Sequence, residues 1–147
     1  MTDIATAWAA IQARAASQIT GMPILWPDEG NELPVEPAPF VFIEMTTDRG
    51  AFIEIGGGRG SNTFRNRGEL LAYVFVPIGE GLARALALAE PVAAAFRSYQ
   101  GGGVTFDGAT VQPLGEGASL VPPGLTSAAG NYSAAMVVCP LHFDQIG

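Results

Sequence analysis

The chain has 147 residues, 48% hydrophobic and only 14% charged, with 14 acids against seven arginines, no lysine and a net charge of −7. That length fits one domain over 1–147 with a real core, and the acidic balance excludes a protein that holds nucleic acid by neutralising phosphates. A single cysteine, Cys139, excludes an internal disulfide, and no run of roughly 18 apolar residues offers a membrane span.

The N-terminus lacks the basic start and apolar run of a signal peptide, so a cytosolic origin is expected. Thr2 is read as the cap of a first helix with Asp3 in its first turn, and Ile4, Trp8, Ile11 and Ala15 as its buried stripe. Gly21 and Pro23 close it. Residues 22–39 form an acidic, proline-rich loop with one extended piece, Ile24 to Trp26. Asp28, Glu29, Glu32 and Glu36 share that loop, solvated, at a spacing that matches no standard calcium loop. Phe40 to Thr47 alternates, with Val41, Ile43 and Met45 on one face and Phe40, Phe42 and Glu44 on the other, and predicts a strand. Ala51 to Ile55 and the following GGGRGSN then predict a long, mobile hairpin arm over 48–63.

The stretch 65–99 organises the rest. Leu70, Ala72, Val74 and Val76 alternate with Leu71, Tyr73 and Phe75, so the strand is apolar on both faces and must be covered on both sides. The helix that follows carries Leu82, Leu86, Ala89, Ala93 and Phe96 as a stripe and can cover one face. The other face calls for a further cover, a first sign of self-assembly. Glu80 and Arg84 form a favourable i,i+4 pair. Pro91 predicts a kink or two helices in series, and Gly101 to Gly103 the stop. Asp107-Gly108 between Val104–Phe106 and Thr110–Gln112 predicts a hairpin. A second long loop spans 116–131. Tyr132 to Phe143 is a strand with Ala135, Val137, Cys139, Leu141 and Phe143 on its core face, Pro140 marking an edge or bulge. The order gives an α+β domain: a mostly antiparallel sheet, two main helices packed on one face, a long hairpin arm and a long loop. Its expected core is Trp8, Ile11, Ile43, Val74, Leu86, Phe96, Val137 and Leu141.

No catalytic constellation emerges. Gly56 to Ser61 lacks the lysine a phosphate-cradling loop requires. Gly79-x-Gly81 opens a helix after a strand, but Arg84 stands where the dinucleotide fingerprint needs a small residue. Cys139 and His142, three apart on a strand, point to opposite faces. One cysteine and one histidine are too few soft ligands for zinc. No cofactor, no metal and no enzyme activity are expected.

Several stretches do resemble a known family: P-I-L-W-P-D-E (23–29), P-A-P-F-V-F-I-E (37–44), R-G-E-L-L-A-Y-V-F-V-P-I-G-E-G (67–81) and the alanine-rich helix ending A-A-A-F (93–96). Together, after an amphipathic N-terminal helix, they resemble the tail terminator proteins of long-tailed bacteriophages and of phage-derived gene transfer agents. Asp28 stands where that family usually has asparagine. The resemblance implies a non-enzymatic, hexameric ring in the neck of the virion tail, assembled in the bacterial cytoplasm. Such a ring caps the tail tube, stops its polymerisation and joins it to the head connector. The partners implied are further copies of the chain, the tail tube protein and the connector or stopper protein, with DNA only in transit and no membrane.

A head–tail stopper or a tube subunit would share these features, and a small α+β enzyme is the remaining alternative. The residues expected at subunit, tail or connector contacts are Arg49, Phe52, Ile53, Arg59 and Phe64 on the arm, and Tyr73 and Phe75 on the central strand. Arg84 and Arg97 on the helix flank and Leu120 in the second loop complete the set.

Overall fold

The computed structural model describes residues 2–30, 32, 36–48, 51–54, 58–116 and 132–147. Its elements run α1 (Ile4–Gln18), β1 (Ile24–Leu25), β2 (Phe40–Thr47), β3 (Ala51–Glu54), β4 (Thr63–Pro77), α2 (Leu82–Phe96), β5 (Gln100–Gly101), β6 (Val104–Phe106), β7 (Thr110–Glu116) and β8 (Tyr132–Ile146). All eight strands belong to one sheet in the order β1-β2-β4-β8-β6-β5, with β3 added to β4 and β7 to β8. Every pairing is antiparallel except β1 with β2. The fold is α+β with both helices on one face.

Two-residue periodicity makes this sheet two-sided. Val41, Ile43, Leu70, Ala72, Val74, Val76, Val137, Cys139, Leu141 and Phe143 face the helices in one buried cluster. Phe40, Phe42, Phe75, Tyr132 and Ala134 form a second cluster on the opposite face. The axis is β4 against β8, in unbroken register from Thr63↔Ile146 to Pro77↔Tyr132.

The helices bury only part of the stripes expected: Ile11, Ala15, Ala89, Ala93 and Phe96 lie inward, and the rest shifts. In α1 the buried stripe is Ala7, Ile11 and Ala15; Trp8 is only half-buried and Ile4 is 53% exposed. In α2 it is Ala85, Ala89, Val92, Ala93, Ala95 and Phe96, leaving Leu86 half-buried and Leu82 39% exposed. Small side chains admit close approach to the sheet, so alanine takes the contact line and the larger residues flank it. Trp8 and Leu86 therefore leave the fully buried core; Ile11, Ile43, Val74, Phe96, Val137 and Leu141 occupy it.

Further local corrections follow. Asp3, not Thr2, caps α1: its carboxylate accepts the Thr6 N–H at 2.7 Å. Pro91 lies inside one continuous α2, exposed, where the carbonyl it leaves unbonded faces water. The helix ends at Phe96; Gly102 and Gly103, at φ 61° and 82°, make the β5–β6 turn instead.

Asp107-Gly108 builds no hairpin. Gly108 lacks the positive φ such a turn needs. Strands β6 and β7 instead follow one another along the same side of β8. Pro140 sits where they change over, and its carbonyl accepts the Asp107 N–H at 2.8 Å. Its missing donor points into that gap, away from β4, so β8 stays an interior strand with no bulge against β4.

Candidate assembly surface

Reactive chemistry is sparse. Cys139 is fully buried, and burial first, with nearby Asp107 second, pushes its thiol up to about 11, so it stays protonated. His142 lies half-exposed on the opposite face of β8. Among the described residues no three His, Cys, Asp or Glu side chains gather as metal ligands, and no helix is long and apolar enough to cross a membrane.

The helix-free face is where the sheet changes character along its length. At one end Phe40 stacks on Phe75 at 4.9 Å and meets Tyr132 edge-on at 5.1 Å. Next comes Tyr73, whose hydroxyl donates to Glu44 Oε1 at 3.1 Å. Beyond lie Arg67, opposite His142, and Arg65, which grips Asp144 through two bonds of 2.8 and 2.9 Å. The Arg65 hydrogen bonds hold the Asp144 carboxyl below its usual range.

Burial, then the Glu44 charge and hydrogen bond, push the Tyr73 hydroxyl up to about 12. A folded-state value above the unfolded one stabilises the fold below pH about 10, and the gain is lost as pH climbs towards 12. Thermal unfolding should thus show a loss on the order of 1 kcal/mol over that window, allowing for the ring's partial exposure. Tyr73→Phe should abolish it; an equal loss in that variant would assign it elsewhere.

The expected contact residues fall into separate places. Arg49 and Leu120 lie outside the described residues. Phe52 pairs with Phe64 in the β3–β4 hairpin, Ile53 beside it is 47% exposed, and Arg59 stands exposed at the hairpin's tip. Phe75 is buried in the chain's own aromatic cluster, and Tyr73 is half-buried beside it. Arg84 pairs with Glu80 at 2.7 Å. Arg97 pairs with Glu90 at 3.3 Å and donates to the Ala109 carbonyl. Both flank arginines thus already have partners within the chain, at exposed positions where ion pairs contribute little.

Sequence reasoning named Ile53 but missed the other large apolar side chains exposed among the described residues. Ile4, Ile53 and Ile146 stand exposed towards the arm end of the sheet, Ile78 and Leu82 at the other end, across the fifteen residues of β4, roughly 50 Å. Ile78 was findable: between Pro77 and Gly79 it lies in a turn, with no strand or helix face on which to bury it.

No family model matches the chain, and no curated protein does. Among solved structures it is similar to a protein that carries only a serial designation. The two are 17% identical with a TM-score of 0.56, over 100% of this chain and 99% of the other. At that identity the likeness speaks for the fold alone, an α+β architecture shared over the whole length.

Proposed function

We propose that this chain is a structural subunit of a tail terminator ring, a closed homo-oligomer, hexameric by resemblance, that caps a tail tube and lets DNA pass. The observation that carries the reading is the resemblance over 23–29, 37–44, 67–81 and 93–96. Those segments form β1, β2, β4 and the end of α2, so the likeness falls on the framework of the sheet and not on one loop.

Two physical features support it. A closed ring needs a heterologous interface, in which one patch meets a different patch on the next copy. The exposed apolar residues fall in separate patches, which offers different surfaces for such an interface. A net charge of −7 also lets DNA move through a lumen without the counterion release that would hold it.

Imaging particles assembled without this chain tests the proposal. The expected outcome is tails of irregular length, or tails separate from heads. Tails of normal length on filled heads would overturn it. Indefinite tubes formed by the purified chain would point to a tube subunit instead.

A further inference from the structure

Among the described residues, the outer edge of β2 is open over its second half. The Val41 N–H points outward to the Pro23 carbonyl, at 3.0 Å, whereas the Asp48 N–H points inward to the Arg67 carbonyl, at 2.7 Å. Alternation therefore turns the N–H and C=O groups of Met45 and Thr47 outward. Strand β1 is only two residues long and pairs with Val41 and Phe42 alone. Among the described residues no strand pairs with Met45 or Thr47 on that outer side, β4 lying on the inner one.

Where β1 leaves the edge, an open slot of about 480 Å³ continues its line, walled by Ile4, Ala5 and Trp8 of α1, by Pro27, and by Glu44 and Met45 of β2. An open strand edge beside an apolar slot is the arrangement that accepts an added strand and one of its side chains. The surroundings are acidic: Glu44 lines the slot, and Asp3, Asp28 and Glu29 adjoin its lining residues Ile4 and Pro27 in the chain. Asp3, Glu29 and Glu44 accept from the Thr6 N–H, the Gln12 amide and the Tyr73 hydroxyl, all neutral donors, and no ion pair among the described residues compensates their charge.

The arm offers the complement. Ile53 is 47% exposed and Arg59 is exposed at the tip. Within one chain β3 is held on β4 by the pairs Ala51↔Arg65 and Phe52↔Phe64, so it cannot also lie along the chain's own β2. We infer that the slot seats the arm of a neighbouring copy: β3 pairs along the open edge of β2, Ile53 enters the slot, and Arg59 meets these acids. Donor and acceptor are different surfaces, so the contact runs head to tail. The inference rests on the self-assembly proposed above and names the surfaces that would carry it.

Two measurements on the full chain test it. Mixed under mild oxidation, an Ala5→Cys variant and an Ile53→Cys variant should form a disulfide-linked dimer with one copy of each, which neither forms alone. Native Cys139 is buried and stays silent. Separately, Thr47→Pro removes an outward donor that β4 does not use. It should raise the concentration for half-assembly in sedimentation by about tenfold or more, with an unchanged circular dichroism spectrum. If the parent chain assembles but the cross-link is absent, the arm-in-slot contact is overturned and the ring stands. A parent chain that stays monomeric at every concentration overturns both. Should Thr47→Pro fail to fold, the cross-link decides alone.

Discussion

Replacing Phe96 by alanine should remove about 3–5 kcal/mol of folding free energy, as truncation of a fully buried phenylalanine does. Phe96 has no exposed surface and packs against Phe106 at a ring distance of 5.2 Å. It closes the last turn of α2, where several elements converge. Arg14 of α1 donates from Nε to the Ala95 carbonyl at 2.7 Å and lies over the Tyr99 ring at 3.8 Å. These contacts limit how far α2 can settle into the space left, so most of the cavity should persist. Against a total of about 5–15 kcal/mol for an ordinary domain, the loss would leave the variant marginal. Urea unfolding of Phe96→Ala beside Phe96→Leu checks this. A midpoint shift under about 1.5 kcal/mol for the alanine variant would show that the site collapses freely.

Gly68→Val is expected to be nearly as damaging, for the opposite reason. On β4 opposite Thr47, Gly68 lies so close to β2 that an added Cβ would overlap the Thr46 carbonyl oxygen and sit 3.0 Å from the Thr47 Cα. Both are backbone atoms, so relief requires moving the strand and stretching the bond from the Asp48 N–H to the Arg67 carbonyl. Overpacking of this kind costs about 1–3 kcal/mol, more where backbone must shift. Gly108→Ala is the control: its added Cβ would meet nothing within 4 Å, and its stability should change by less than about 0.5 kcal/mol. Equal stability of Gly68→Val and the parent would show that the two strands can part without penalty.

The sheet was legible because alternation is a direct image of side-chain direction. Leu70, Ala72, Val74 and Val76 against Tyr73 and Phe75 foretold a strand buried on both faces, and the two clusters divide along that line. Helix phase was harder to read. Large residues dominated the expected stripes, so Ile4 and Leu82 were set inward, whereas Ala7 and Ala85 lie against the sheet. An alanine contact line is nearly silent to a hydrophobicity count, because alanine contributes little to it wherever it points. Pairing partners were less legible still. Asp107-Gly108 carries a local turn signal, but what claims β6 and β7 is β8, a strand distant in sequence. As for the proposed arm-in-slot contact, Arg59 and Ile53 could be named from the sequence. The slot beside β2 could not, because it exists only where α1, Pro27 and Met45 meet.

The placement of β8 has a consequence for how the chain is made. Its partner β4 lies far earlier in the sequence, with Thr63 paired to Ile146, and β6 and β7 have no place in the sheet without β8. A ribosome therefore releases β2, β4 and α2 well before the strand that joins both halves of the sheet exists. During that interval the fifteen-residue β4 presents one bare hydrogen-bonding edge between two apolar surfaces, a template for mispairing with any nearby nascent chain. Contacts this distant in sequence also slow folding. The sheet is thus completed late, and shielding the nascent chain until β8 emerges becomes part of producing the folded chain.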